Sequence, residues 1–163
     1  YQNICMLAEQ RNIPILYMKA EDVIRSGENT IRCILPDKQY QAEDENGKSM
    51  ILRYQTEYIS GMFTGDAGEA EEKWLLEQKQ IQKADFLKVG HHGSKNSSSA
   101  DFLKALSPKT ALISCGENNR YGHPHAETLE RLRTVSAEVY NTVEDGQISF
   151  RERRGKVWIQ NFH

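Results

Sequence analysis

From Ser49 onward, short apolar segments typical of β-strands alternate with segments typical of amphipathic helices, and this alternation restricts the fold more than any other feature. A helix that connects two strands makes them parallel, so the loops that follow those strands gather along one edge of the sheet. Ligands of such sheets bind at that edge. The chain is therefore predicted to be a layered α/β protein whose functional residues follow its strands.

Apolar spacing and turn residues predict the individual elements. In the first part of the chain we expect a helix over 1–11, strands over 15–19 and 30–35, and a polar loop over 36–48 with an Asn46-Gly47 turn. In the second part we expect strands over 50–54, 58–64, 86–89, 110–114 and 138–141, helices over 69–81, 100–106 and 124–135, and a closing hairpin over 147–151 and 156–161 that turns at 153–155.

Composition favours one globular domain over residues 1–163, since 38% of the residues are hydrophobic and 27% are charged. The net charge of -2 provides no field that would draw the whole molecule onto DNA or an anionic bilayer, so any nucleic-acid contact must be local. No apolar run approaches the roughly 20 residues of a membrane span, and no signal segment is present. We expect a soluble chain, with Tyr1 at a boundary inside a longer protein.

The three cysteines are far apart in the sequence and form no CxxC pair. They fit neither a disulfide framework nor a thiolate zinc site, and we expect free thiols in the core. Cys115 is close to histidines, but its position at the end of an apolar strand favours a core thiol over a nucleophile. Motifs of competing chemistries, GxSxG, GxxxxGK[ST], GxGxxG and HExxH, are absent from the sequence.

Asp66 follows a predicted strand in Thr64-Gly65-Asp66 and is a candidate metal ligand. Gly65 allows the backbone to turn so that the carboxylate lies along the sheet edge. The competing interpretation is that Asp66 caps the helix that follows, a common role for aspartate before a helix. The motif alone leaves both interpretations open.

His91 and His92 occupy the next loop on the same edge. Adjacent histidines in a tight turn can face different ways, so that one binds a metal while the other donates to a substrate oxygen or orients the first. A histidine pair is more often structural, but small and polar neighbours that let a phosphate or metal approach the backbone favour function here; they are Gly90, Gly93, Ser94 and Lys95.

The segment Tyr121-Gly122-His123-Pro124-His125 precedes a predicted helix, so two imidazoles lie near the positive end of a helix dipole. This arrangement favours an anion. Donors suited to a phosphate oxygen stand just upstream, at Asn118, Asn119 and Arg120. The alternative is that Asn119 and His123 cap the helix and His125 lies on its surface. Surface positions are predicted for the charged residues Lys79, Lys83, Glu127, Arg131 and Arg133, and His163 is given no role.

Segments 63–66, 87–94 and 114–125, together with Asn46-x-x-Ser49 and Asp145-Gly146, follow one another in a specific order between about residues 46 and 150. They resemble the successive motifs of the metallo-β-lactamase-fold domain of ComEC-type competence proteins. The resemblance implies an αββα sandwich, of which this chain is the C-terminal portion. It also implies a one- or two-metal site at the sheet edge, with hydrolytic chemistry that commonly acts on phosphodiesters.

The resemblance also assigns candidate roles. Asp66 corresponds to a carboxylate that bridges or ligates the metals, and His91 or His92 to a later histidine ligand. His/Asp ligation suits Zn²⁺ or Mn²⁺. The candidate catalytic residues are Asp66, His91, His92, His123 and His125, and the candidate substrate-binding residues are Ser94, Lys95, Asn118, Asn119, Arg120 and Tyr121.

ComEC proteins couple such a domain to a membrane channel for DNA uptake, so the resemblance implies DNA as the phosphodiester substrate and a bacterial parent protein in the cytoplasmic membrane. The family's HxHxDH motif, which supplies most metal ligands, is absent from this chain. We expect it in a preceding half of the domain, and we expect the isolated chain to bind metal weakly and to be inactive. The alternatives are a non-catalytic phosphate- or nucleic-acid-binding module, a structural α/β domain and a degenerate paralogue.

Overall fold

The computed structural model describes residues 2–153 and 155–162. Short 3₁₀ turns lie at Asn46–Lys48 and Gly90–Gly93. The helices and strands, in chain order, are α1 (Gln2–Gln10), β1 (Val23–Ser26), β2 (Asn29–Leu35), β3 (Ile51–Gln55), β4 (Ser60–Phe63), α2 (Glu69–Glu77), β5 (Phe86–Lys88), α3 (Ala100–Leu106), β6 (Thr110–Ile113), α4 (Ala126–Thr134), β7 (Glu138–Asn141), β8 (Gln147–Arg153) and β9 (Lys156–Phe162).

Strands β1 to β7 form one mixed sheet in sequence order. The pairs from β1 to β4 are antiparallel, and those from β4 to β7 are parallel. The change occurs at β4 because a helix connects each later pair, as the predicted alternation requires. The α/β class is confirmed, and the loops after β4, β5 and β6 follow parallel strands at one edge of the sheet.

Apolar side chains of the three crossover helices form a core with the parallel strands. Fully buried members include Leu75 of α2, Phe102 and Leu106 of α3, and Leu132 of α4. Burial of one such side chain contributes about 1.5–3 kcal/mol relative to exposure. These contacts fix the helices on the sheet, and the loops between strands and helices are fixed with them.

The predicted strand over 15–19 is wrong. Those residues form no strand, and Leu16 is largely exposed. The chain turns instead, because the Asp22 carboxylate accepts the Lys19 N–H at 2.9 Å. The first strand is β1, which pairs with β2 across a tight turn at Gly27, whose φ is +59°. A short apolar run has the composition of a strand, but it forms one only where a partner strand lies beside it.

The polar loop over 36–48 packs on α2 despite its lack of apolar anchors in the sequence. The ring centroids of Tyr40 and Trp74 are 5.3 Å apart, and the Tyr40 hydroxyl donates to Glu71. Burial and the Glu71 carboxylate raise the pKa of Tyr40 above its usual value. A Cβ on Gly47 would lie 2.6 Å from Glu71 Oε1, so Gly47 lies directly against the carboxylate that accepts from Tyr40.

Strands β8 and β9 form a separate antiparallel hairpin. It packs on the large sheet through Phe150, whose ring centroid is 4.7 Å from that of Phe86. The predicted turn at 153–155 includes Arg154, which lies outside the described residues, as does His163. Within the described ranges, no helix has both the length and the apolar character needed to span a membrane. All three cysteines are free. Cys33 is fully buried and the half-buried Cys115 packs against the core, as expected, whereas the half-buried Cys5 lies outside the core.

Candidate metal and substrate site

Asp66 lies in the turn that leaves β4, and its backbone is held by a residue from another segment. Ser49 Oγ accepts the Asp66 N–H at 2.9 Å, and Gly65 reaches the turn with φ +56°. The N-cap of α2 is Gly68, so the interpretation of Asp66 as the helix cap is wrong. The carboxylate is therefore free of a capping role, and its side chain remains 47% exposed at the sheet edge.

His91 and His92 both adopt left-handed backbone conformations, with φ of 47° and 54°. Each such residue costs on the order of 1–3 kcal/mol, and these conformations persist where surrounding contacts hold them, frequently at functional sites. Here the His91 N–H donates to Gly65 O at 2.9 Å and the Ser94 N–H donates to His91 O at 2.9 Å. These bonds fix the backbone from which both imidazoles project.

The histidine turn also lies directly against the segment that carries the other two histidines. A Cβ on Gly93 would lie 2.7 Å from Pro124 Cβ, and Gly93 has φ +83°. The His125 N–H donates to Gly93 O at 2.9 Å. Gly93 is required here for both reasons, because any side chain would push the two loops apart.

Backbone hydrogen bonds select opposite tautomers for His92 and His125. His92 Nδ1 lies 2.6 Å from Ser114 O, and since a carbonyl only accepts, Nδ1 carries the proton and Nε2 of the neutral ring presents a lone pair. That Nε2 is 3.6 Å from Asp66 Oδ1. His125 Nδ1 instead accepts the Lys95 N–H at 3.3 Å, so the neutral ring carries its proton on Nε2. His92 is thus set to accept or to ligate, whereas His125 is set to donate.

His123 stands at the centre of the cluster. Its ring centroid is 4.9 Å from that of His125, 5.6 Å from that of His91 and 6.4 Å from that of His92. Burial and then the three neighbouring imidazoles lower the pKa of His123, while the Asp66 carboxylate opposes them. The structure therefore brings all five candidate catalytic residues into one cluster, with His123 neutral near pH 7.

The surroundings of the cluster differ in charge on its two sides. Asp66 and His91 line a cavity of about 270 Å³ whose other lining residues include the acids Glu43, Asp44, Glu69 and Glu71. His92 and His123 line a second cavity, of about 180 Å³, together with Tyr121, and the Arg120 guanidinium lies 4.8 Å from the Tyr121 ring centroid. The first side suits a cation, and the second suits an anion with an aromatic or apolar part.

A metal fits part of this arrangement. The Asp66 carboxylate and the His92 Nε2 lone pair are donors that Zn²⁺ and Mn²⁺ accept, and their separation of 3.6 Å allows both to bind one ion through bonds of about 2.0–2.2 Å. No three His, Cys, Asp or Glu side chains among residues 2–153 and 155–162 are arranged to hold a metal ion. The described part of the chain offers two suitable donors but not a complete site.

The predicted substrate-binding residues fall into two groups. Lys95, Asn118, Arg120 and Tyr121 are exposed near the cluster. Asn119 braces its own loop, since its amide donates to Gly116 O at 2.9 Å and to His123 O at 2.7 Å. Ser94 is only 5% exposed and its Oγ accepts the Asn96 N–H, so we assign both Ser94 and Asn119 to shaping the loops in place of the predicted substrate contact.

No protein-family model matches the chain. It is 35% identical over 150 residues to ComE operon protein 3 of Bacillus subtilis, a match that covers 92% of this chain and 19% of that protein. It is 34% identical over 116 residues to Recombination protein 2 of Haemophilus influenzae, covering 71% of this chain and 14% of that protein. It is 36% identical over 118 residues to Competence protein ComA of Neisseria gonorrhoeae, covering 72% of this chain and 17% of that protein.

The chain belongs to the ComEC-type competence proteins. It spans about a fifth or less of the length of these relatives. A similar solved structure is a Thermotoga maritima protein described as a zinc-dependent hydrolase of the metallo-β-lactamase superfamily. The match has a TM-score of 0.43 at 12% identity and covers 76% of this chain and 61% of that one.

Arg131 of the ComEC-type chain is not the surface charge that the sequence predicts. Its Nη2 donates to Lys95 O at 2.7 Å and to Ser97 O at 2.9 Å, and its Nη1 lies 3.7 Å from Glu69 Oε1. Arg131 thus joins α4, the segment that follows the histidine turn, and α2. Lys79, Lys83, Glu127 and Arg133 are exposed as predicted.

Lys88 and Glu72 are two further residues of this edge that the sequence did not single out. Lys88 ends β5, donates to Val89 O at 3.0 Å, and has its pKa lowered by burial, an effect that the nearby Asp66 carboxylate opposes. Glu72 of α2 accepts the N–H groups of Ser98 and Ser99 at 2.5 and 2.7 Å. The placement of Lys88 in the last position of a strand is the one signal that could have identified it; Glu72 reads as an ordinary helix carboxylate.

Proposed function

We propose that the chain supplies part of the active site of a metal-dependent phosphodiesterase that acts on DNA in bacterial competence. The observation that carries the proposal is the 3.6 Å approach of His92 Nε2 to Asp66 Oδ1, in a ring whose Nδ1 is held by Ser114 O, beside a second histidine whose Nδ1 accepts the Lys95 N–H. A histidine that ligates a metal through one ring nitrogen usually donates the other ring N–H to a carboxylate or a backbone carbonyl, and the contact of His92 Nδ1 with Ser114 O has this form.

On the metal side, Asp66 and His92 would hold the ion, and His91 lines the same cavity as Asp66. A bound Zn²⁺ or Mn²⁺ would supply a water of lowered pKa and positive charge for the transition state. The Ser114 carbonyl fixes the His92 ring, and Ser49 fixes the backbone of Asp66. The remaining ligands would come from an HxHxDH motif in a preceding half of the same domain.

On the substrate side, His125 Nε2–H would donate to a phosphate oxygen. The neutral His123 lies between His125 and the metal side, and α4 begins at Ala126, so the positive end of its dipole faces the same region. Arg120 and Tyr121 add a cation and an exposed ring. Donors held in place before the reaction stabilise developing phosphate charge most effectively.

The competence role is supported by the relatives, of which one is named a competence protein and another a recombination protein. DNA as substrate, a parent protein in the cytoplasmic membrane and the preceding half of the domain are further parts of the proposal. A second candidate is a phosphate-binding module without catalysis. It is favoured by one observation, that the described residues hold no three-ligand group.

Calorimetry with Zn²⁺ and Mn²⁺ separates the two functions. For the 163-residue chain alone we expect weak binding and no turnover of a chromogenic phosphodiester, since structural and catalytic zinc sites take at least three protein ligands. For the chain joined to a preceding segment that contains HxHxDH, we expect tight, stoichiometric binding and turnover. Phosphate binding by the joined protein without metal or turnover would support the binding module, and tight metal binding with turnover by the chain alone would refute our account of the missing ligands.

A further inference from the structure

The β8–β9 hairpin presents two faces of different character. In the antiparallel register, Arg153 pairs with Lys156 and Arg151 pairs with Trp158, and these four side chains lie on one face because alternate residues of a strand share a face. Phe162 follows on that face. We call this set of five residues the outer hairpin face. The opposite face packs on the large sheet through Phe150.

The outer hairpin face is cationic and aromatic. Trp158 is 45% exposed and Phe162 is 50% exposed, so a large part of each ring is open to a ligand. Arg151, Arg153 and Lys156 are exposed as well, and none of them forms an ion pair with a described residue. Three cationic side chains without an ion-pair partner among the described residues therefore surround an exposed indole.

The shape and the nearby acids are compatible with an extended anionic ligand. A shallow groove of about 440 Å³ is lined by Arg151, Arg153 and Trp158 together with Gln160 and Glu152. Glu152 is the one carboxylate there, and its Oε1 accepts the Gly155 N–H at 2.7 Å. In a chain of net charge -2, this is a local positive surface of the kind that a nucleic acid requires.

We propose that the outer hairpin face binds single-stranded nucleic acid, with a base stacked on Trp158 and phosphates held by Arg151, Arg153 and Lys156. Exposed bases stack on aromatic side chains while cations follow the backbone, whereas the bases of a duplex are already stacked and leave an indole without a partner. The proposal deepens the proposed function, on which it rests for its choice of a nucleic-acid ligand. An acidic protein surface would use the cations but would not require the exposed indole.

The test uses the 163-residue chain and a fluorescently labelled 20-nucleotide oligothymidylate, with a chelator present so that no cleavage occurs. Anisotropy should show binding that is tighter than for a 20-base-pair duplex. The logarithm of the affinity should fall with that of salt with a slope of about -2, as for three neutralised phosphates of a single strand. Trp158→Ala should weaken binding by about tenfold or more, and Trp158→Phe should retain most of it.

Further variants test whether Arg153 and Trp158 themselves contact the oligonucleotide. Arg153→Ala should reduce the salt slope by about 0.7, whereas Lys104→Ala, an exposed cation of α3, should leave it unchanged. In Trp74→Phe, Trp158 is the sole tryptophan, and the oligonucleotide should quench its fluorescence. Circular dichroism checks that each variant folds.

Several results would overturn the inference. They are absence of oligonucleotide binding, equal or tighter binding of the duplex, and unchanged affinity in both folded Trp158→Ala and Arg153→Ala. Quenching of Trp158 by the preceding half of the domain, without any by oligonucleotide, would show instead that the face is a protein contact. Turnover of a small chromogenic phosphodiester by the joined protein is measured separately. Absence of turnover by the joined protein refutes the proposed function. Absence of oligonucleotide binding, with turnover present, refutes only the hairpin proposal.

Discussion

Glu72 allows a quantitative test of how the segment that follows the histidine turn is held on α2. This α2 carboxylate is 1% exposed and accepts the N–H groups of Ser98 and Ser99, at the start of α3. Burial raises the pKa of Glu72 to about 7 from an ordinary value of 4.5, although the two N–H bonds act in the opposite direction. The carboxyl group is therefore protonated in the folded chain at pH values where it is ionised in the unfolded chain.

The sign and size of the effect on stability follow from this difference. Because the folded-state pKa is raised, the contribution of Glu72 is fully present below pH 4.5 and is lost as the pH rises through about 7. The gap between the two pKa values corresponds to about 3 kcal/mol, at 1.36 kcal/mol for each pKa unit. In Glu72→Gln the side chain does not titrate. The free energy of unfolding of the wild type minus that of the variant should thus decrease by about 3 kcal/mol between pH 4.5 and pH 8.

Urea unfolding at half-unit pH intervals measures this difference. Glu77→Gln is the matched control, since Glu77 lies on the same helix with its side chain 59% exposed and only a 4.0 Å contact with Lys73. Its stability relative to wild type should be nearly independent of pH over this range. A difference between wild type and Glu72→Gln that stays constant with pH to within about 1 kcal/mol would show that Glu72 is ionised in the folded chain, and the reasoning from burial would be refuted.

Three further substitutions test contacts around the site, each by urea unfolding. Arg131→Met should lower the free energy of unfolding by about 2 kcal/mol because it leaves the carbonyls of Lys95 and Ser97 without a donor, whereas Arg133→Met on the same helix should be near neutral. Equal costs of the two substitutions would refute the bridging role of Arg131. Tyr40→Phe should cost about 1 kcal/mol through loss of its bond to Glu71, and no change would show that the 36–48 loop is not anchored there. Phe150→Ala should cost about 1–2 kcal/mol, and an unchanged midpoint would mean that the hairpin does not pack on the large sheet.

The parallel half of the fold is predictable from the sequence because each of its elements carries a local signal. Helix α3 and strand β7 occur at the predicted bounds, since Ser107-Pro108 ends the helix and the short strand contains the β-forming pair Val139-Tyr140. The antiparallel part is less predictable. The apolar run at 15–19 has the composition of a strand, but strand formation depends on a partner, and β2 pairs with 23–26 instead.

The clustering of Asp66 with the histidines was predictable for a similar reason, because loops after parallel strands share one edge. The tautomers were not, since they depend on Ser114 O and the Lys95 N–H, which are backbone groups far from their partners in the sequence. Arg131 was likewise missed because its acceptors are main-chain carbonyls of another loop, and main-chain groups leave no mark on residue identity.

The division between a metal side and a substrate side is the central claim, and metal content measured beside turnover tests it most directly. In the chain joined to its HxHxDH segment, Asp66→Ala should lose both metal and phosphodiester turnover. His125→Ala and His123→Ala should lose at least tenfold in turnover, as expected for donors to developing charge, while metal content stays close to wild type. Loss of metal in the His123 and His125 variants equal to that in Asp66→Ala would show that these imidazoles are ligands and would contradict the account.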